Sequence, residues 1–217
     1  MSKIAITIND VIRKYTSSVK DSYQNYRDYM DSLSEKNFDQ QHYIDDNEEL
    51  ILVETKSEQY IASPESDPFR FTEKYIFYSK EDFEDFLYSD YGFKIYSGSD
   101  LTYIDVNSDF SKLYKNLVDR GHQVTLISQE TLKTISPTFF FLAQNQIITN
   151  NLKFLTNYSL VHELFDTIIT ANPYIIENFK KDNDENVVIK IKTDYNSKLE
   201  ADISVDKLSE IIQYIND

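Results

Sequence analysis

The run KIAITINDVIRKY, residues 3–15, reads as a buried strand leading into an amphipathic helix. Many phosphate-handling α/β proteins hold their catalytic carboxylates at such a junction; this one carries Thr7, Asn9 and Asp10. Ligands of an open parallel sheet collect at the carboxyl ends of its strands. The other residues of interest therefore follow later strands: Ser128, with Lys133 behind it near a helix start, and then Thr170, Ala171 and Asn172. As chemistry the set is thin. A Thr hydroxyl is a poor nucleophile without a neighbouring base, and an Asn amide does not titrate near neutral pH. Mg²⁺ is usually anchored by one or two carboxylates, and Thr7, Asn9, Thr170 and Ala171 supply none. Asp10 is a carboxylate, but a one-residue shift reverses side-chain direction in a strand. Helix capping is its expected role.

The elements that must position these residues are legible in outline. Val11, Tyr15, Val19, Tyr23, Tyr26 and Met30 recur at helical spacing, with Asn9 or Asp10 placed as the cap, so this stripe should pack on the sheet or on a partner. QVTLIS (123–128), LKFLT (152–156), DTIIT (166–170) and NVVIKI (186–191) read as further strands. Between them lie a helix through Phe110, Leu113, Tyr114, Leu117 and Val118, closed by Gly121, and a helix over 136–144 with Ser136 as cap and Pro137 in its first turn. A short helix spans Val161 to Leu164, and Leu208, Ile211, Ile212 and Ile215 mark a terminal one. Strands alternating with helices imply an α/β fold: a three-layer, Rossmann-like parallel sheet covered on both faces.

From about residue 32 the pattern breaks. LILVET (50–55) looks like a strand, SPESDPF (63–69) like a loop, and 79–93 like a helix through Phe83, Phe86 and Leu87. Residues 32–96 therefore form an inserted cap-like or arm segment, with 1–31 and 97–217 as the α/β core. Tyr43, Tyr60, Phe69, Tyr75, Phe77 and Tyr91 are its candidate partner contacts, since amphipathic rings dominate interfaces. The same rings would also serve to close a small internal core.

Composition excludes several classes. The chain has no cysteine, so disulfides, thiolate chemistry and Cys-ligated zinc are out. His42, His122 and His162 show no ligand spacing. Three glycines build neither a dinucleotide fingerprint nor a P-loop. A formal charge of −15 without a basic patch argues against specific nucleic-acid binding. With no signal peptide and no long apolar run, a soluble protein of a reducing compartment is expected, without membrane association.

The order and spacing of IAITINDVIRKY, EDFEDFLYSDYGFKIYSGSD, GHQVTLISQE, KTISPTFFFLAQN, DTIITANPYII and VVIKIKTDYN resemble the haloacid dehalogenase (HAD) superfamily. More narrowly, they resemble HAD-like phosphatase proteins of tailed bacteriophages, including crAss-like phages. The resemblance implies that Thr7 and Asn9 stand where an active phosphatase has Asp-x-Asp, the nucleophile and the acid/base. Ser128 and Lys133 match the phosphate-binding Ser/Thr and the Lys, and Thr170 and Ala171 replace the acids that help hold Mg²⁺. It therefore implies degenerate motifs and a catalytically inactive domain, with no cofactor. Its expected role is a virion structural or assembly component, such as a ring, collar or tail protein, made in the host cytoplasm and contacting other phage structural proteins in a symmetric assembly. The alternative is a divergent phosphatase or 5'-nucleotidase using Mg²⁺, with acids such as Asp166 or the run Ile44 to Asp46. A weaker third reading keeps Ser128 and Lys133 as a metal-free phosphate or nucleotide sensor.

Overall fold

The computed structural model describes residues 1–41, 59–63, 71–130, 133–155, 161–181 and 183–214. The first strand, β1 (Lys3–Thr7), is apolar on both faces and lies at the centre of a sheet. On one side it pairs with β4 (Gln123–Gln129), which pairs in turn with β5 (Leu152–Leu155). On the other side follow β6 (Thr167–Thr170), β7 (Val187–Ile191) and β8 (Ile203–Val205). All six strands run parallel in the order β5-β4-β1-β6-β7-β8.

Alternation along the strands divides the core into two layers. Ile4, Ile6, Val124 and Leu126 pack with Phe110, Leu113 and Leu117 of α4 (Val106–Asp119), with Phe141 and Leu142 of α5 (Ile135–Gln144), and with the terminal 3-10 helix Leu208–Tyr214. Ala5, Ile127, Ile168 and Val188 face the opposite layer, built by Val161 of α6 (Val161–Leu164) and by Ile175 and Ile176 of α7 (Pro173–Asn178). Gly121 ends α4 as expected. Its φ of +84° is left-handed, and its N–H reaches Val118 O at 2.9 Å while His122 N–H reaches Leu117 O at 3.1 Å. The three-residue β8 was not anticipated, and α5 begins earlier than expected, with Thr134 as cap.

The insert begins earlier than the sequence suggested. Helix α1 (Tyr15–Gln41) starts not at Val11 but at Tyr15, and its stripe faces neither the sheet nor a partner. Tyr15, Val19 and Tyr26 join Ala62, Phe71, Tyr75, Phe77, Phe83, Phe86, Leu87, Ile95 and Tyr96 in a separate core. That core is shared with the hairpin β2 (Tyr60–Ala62) and β3 (Tyr75–Phe77) and with helices α2 (Lys80–Tyr88) and α3 (Asp90–Tyr96). The boundary thus moves from residue 32 to about Tyr15, because α1 buries its apolar face here. Tyr23 completes the arrangement: its hydroxyl donates to Ile76 O at 2.7 Å and accepts from Ile76 N–H at 3.1 Å. The helix expected over 79–93 is two helices, with Ser89 ending one and capping the next.

The chain enters and leaves the insert side by side. Lys14 N–H bonds Asp100 O, and Thr102 N–H bonds Ile12 O, each at 2.9 Å. This return path sets the insert over the carboxyl ends of the strands. The expected strand at 50–55 and most of the loop at 63–69 lie outside the described residues.

Candidate functional site

Strand order reverses at β1, so the crevice above its carboxyl end is where such a sheet binds ligands. Thr7 closes β1 there and is 2% exposed. Its hydroxyl donates to Thr170 Oγ1 at 3.1 Å, and that oxygen also accepts from Asn172 N–H at 3.1 Å. Asn172 caps α7 by accepting from Ile175 N–H, and Pro173 follows at the first helical position. The Ala171 carbonyl accepts from Asn196, a buried amide that also bonds Ile191 O and so ties the ends of β6 and β7 together. The end of β6 is a set of backbone struts, and among the described residues Thr7 hydrogen-bonds no base.

Asn9 and Ser128 converge, through two residues the sequence reading did not single out. After β1 the chain makes one helical turn, with Ile12 and Arg13 N–H groups both reaching Ile8 O. That turn lays Arg13 back across Asn9. Arg13 and Glu130 are an ion pair at 3.2 Å with both side chains 0% exposed. All five guanidinium N–H groups are used. Nε and Nη2 donate to Asn9 Oδ1, Nη2 also to Glu130 Oε1, and Nη1 to Tyr96 O at 2.7 Å and Thr138 Oγ1 at 2.8 Å. The rings of Tyr15, Tyr96 and Phe141 surround the guanidinium carbon at 5.3–5.8 Å. Glu130 Oε1 in turn accepts from the Ser128 and Thr138 hydroxyls, each at 2.8 Å. A carboxylate therefore lies on the very hydroxyl that the resemblance assigns to phosphate, and the pair links core strands, α5 and the insert.

The remaining candidates lie elsewhere. Lys133 is exposed and holds its ammonium 4.1 Å from the Tyr88 ring centroid, not at Ser128; the buried cation of the site is Arg13. Asp166 accepts from Lys3 N–H at 2.8 Å, at the amino end of the sheet, a strand length from Thr7, so it cannot supply the missing acid. His122 accepts from Ser2 N–H, and His162 sits near Glu163. Among the described residues no group of three or more His, Asp or Glu is arranged to hold a metal ion. His42 and the run Ile44 to Asp46 lie outside them.

Asp10 takes a left-handed backbone, φ 58°, and turns its carboxylate onto the start of α1. Oδ1 accepts from Tyr15 N–H at 2.8 Å and Thr16 N–H at 2.9 Å, and Oδ2 from the Thr16 hydroxyl. It is a helix cap. Burial raises its pKa above the usual carboxylate range despite these bonds. It borders a cleft of about 640 Å³ that also takes in Lys14, Lys20, Lys192 and Tyr195, on the β7–β8 side of the crevice. The Tyr195 hydroxyl faces Asp10 but among the described residues is buried without a hydrogen bond of normal geometry, and burial raises its pKa strongly.

Of the six rings nominated as partner contacts, the four that are described do not form an exposed surface. Tyr75 and Phe77 are buried in the insert's core, and Tyr60 and Tyr91 pack against it; Tyr43 and Phe69 lie outside the described residues. Covering a small hairpin and two short helices requires these rings inside, where each contributes about 1.5–3 kcal/mol. Among the described residues the exposed phenylalanines are Phe93, Phe139 and Phe140, each more than half exposed, on α3 and α5; Tyr29 and Tyr214 are exposed to a similar degree elsewhere.

No family model matches this chain, and no curated protein matches its sequence. Its fold is similar to that of a solved structure, a protein of Burkholderia xenovorans provisionally described as a haloacid dehalogenase-like hydrolase. The match has a TM-score of 0.55 at 12% identity and covers 98% of this chain and 96% of the other. At that identity the likeness speaks for the fold alone. The fold is HAD-like: a Rossmann-like α/β sheet with a segment inserted after its first strand.

Proposed function

We propose that this chain is a HAD-like domain retained for its surfaces rather than for phosphoryl transfer. In the setting its sequence motifs suggest, it serves as a structural or assembly component of a tailed-phage particle. The observation that carries the first part is the Arg13–Glu130 pair. A phosphoryl group reaching Ser128 would meet a carboxylate already bound there, inside a pair whose disruption costs about 3–5 kcal/mol. Thr7 and Asn9 add neither nucleophile nor acid, and the domain needs no metal or cofactor for this role. A fold does not by itself specify chemistry. The exposed Phe93, Phe139 and Phe140 give an assembly role an aromatic surface, and the charge of −15 disfavours nucleic acid as the partner.

Two measurements test the proposal. Purified protein should not hydrolyse an aryl phosphate or a nucleoside monophosphate with or without Mg²⁺, and mass spectrometry of purified particles should find the chain in them. The competing reading, a divergent phosphatase or 5'-nucleotidase, has one observation in its favour: Asp10 borders a cleft with three lysines. It requires Mg²⁺-dependent turnover that disappears in Asp10→Asn, a result that would overturn the non-catalytic proposal.

A further inference from the structure

Glu130 is held as a ligand is held in a receptor. One oxygen, Oε1, accepts from three donors carried by three parts of the chain: Ser128 Oγ at 2.8 Å, Thr138 Oγ1 at 2.8 Å and Arg13 Nη2 at 3.2 Å. A guanidinium and two hydroxyls converging on one oxygen is a donor set suited to a phosphate or sulfate oxygen. Strand alternation explains how the chain reaches its own cage: Ser128 and Glu130, two residues apart, project to the same face. The fit is incomplete. Among the described residues Glu130 Oε2 is buried without a hydrogen-bond partner, an arrangement that stability alone does not favour. The guanidinium, by contrast, does not depend on Glu130 for its place. Arg13 remains fixed by Asn9, Tyr96 O and Thr138, and by the rings of Tyr15, Tyr96 and Phe141.

We infer that this cage is an oxyanion receptor occupied by the protein's own carboxylate, and that removing the carboxylate opens it to a tetrahedral anion of the phosphate or sulfate class. The inference rests on the reading of the Arg13–Glu130 pair as filling the site, and adds what the emptied site would hold. Glu130→Ala takes away the resident anion, keeps every donor and leaves the Arg13 charge uncompensated; Glu130→Gly clears the Cβ as well. Glu130→Gln keeps the space filled.

The test is thermal unfolding at constant ionic strength in potassium chloride, inorganic phosphate or sulfate. In Glu130→Ala and Glu130→Gly, phosphate or sulfate should stabilise saturably, raising the folded-to-unfolded ratio about 100-fold at a hundred times the dissociation constant. Wild type and Glu130→Gln should respond to these anions no more than to chloride. Absence of a saturable response in both cavity variants overturns the inference, as does a wild-type response equal to theirs. If the cavity variants are unfolded in chloride, phosphate or sulfate should refold them as read by circular dichroism. Failure to do so while Arg13→Met/Glu130→Leu folds also overturns it. Wild-type hydrolysis of a phosphate ester would instead strike the functional reading, so the two failures are distinguishable.

Discussion

The stability of this domain should depend on Arg13 and Glu130 as a pair, and a double-mutant cycle measures how much. Arg13→Met leaves the Glu130 carboxylate in a site with 0% side-chain exposure and withdraws donors from Asn9 Oδ1 and Tyr96 O. Removing one partner of a fully buried pair costs about 3–5 kcal/mol. Glu130→Leu leaves the guanidinium its other acceptors but no counter-charge, so its cost should fall at the lower end of that range. The double variant Arg13→Met/Glu130→Leu buries no charge. What remains is unpaired polar atoms on Asn9, Tyr96, Ser128 and Thr138, at about 1 kcal/mol each and eased wherever a hydroxyl can rotate to a new partner. We expect the double variant to cost about 2–4 kcal/mol, no more than Arg13→Met alone, which gives a coupling energy of about 2 kcal/mol or more. Urea unfolding followed by far-UV circular dichroism reads this out, provided the m-values agree among variants. In thermal terms the Arg13→Met loss corresponds to roughly 6–20 °C for a chain of this size. Additivity of the two single variants within about 0.5 kcal/mol would refute the reasoning. So would a cost below about 1 kcal/mol for Arg13→Met, which would mean that water reaches the pair.

Three further substitutions separate packing from backbone strain and fix the sign of a pH effect. A Cβ on Gly92 would lie 1.8 Å from the Leu87 carbonyl oxygen, so Gly92→Ala must push α3 off α2 and should cost about 3 kcal/mol or more by urea unfolding. Gly121→Ala meets nothing within 4 Å and carries only the left-handed backbone penalty of about 1 kcal/mol; equal losses at the two glycines would contradict the geometry. Asp10 has a folded-state pKa raised chiefly by burial, opposed by bonds from Thr16 and Tyr15. Its linked contribution is therefore full below the unfolded value of about 3.9 and is lost as pH rises through the folded value. The stability of wild type relative to Asp10→Asn should fall as pH is raised from about 4 and then level off; a flat or rising difference in urea midpoints would count against the burial.

Much of the fold was legible because a parallel sheet buried on both faces writes itself as short apolar runs. IAI, VTLI, TIIT and VVIKI each became a strand close to the expected place. Periodicity was less informative about what a face meets. Tyr15, Val19 and Tyr26 do share a helix face, but spacing alone did not say that the face is covered by the insert's own hairpin and helices. The same gap misassigned Tyr75 and Phe77, since an aromatic residue suits an interface and a small core equally until its neighbours are known. Arg13 and Glu130 were missed for a different reason. Their signals were present: Arg13 lies four residues after Asn9, and Glu130 lies two after Ser128 on the same strand face.

The identities at positions 9 and 130 fit each other electrostatically. One guanidinium can neutralise one buried carboxylate, and in this site that carboxylate is Glu130. An Asp at position 9 would accept the same bonds from Arg13 Nε and Nη2 but would leave two anions sharing one cation in a water-excluded space, where like charges raise pKa values and weaken folding. Asn9 supplies the acceptor without the charge. Ser128 and Thr138, being neutral donors, can then both serve Glu130 Oε1 at no electrostatic cost. An Asn where an acid is expected thus has a local physical reason in this chain. With Glu130 inside, the amide at position 9 lets Arg13 hold strand end, helix α5 and insert together while the buried charges of the pair sum to zero.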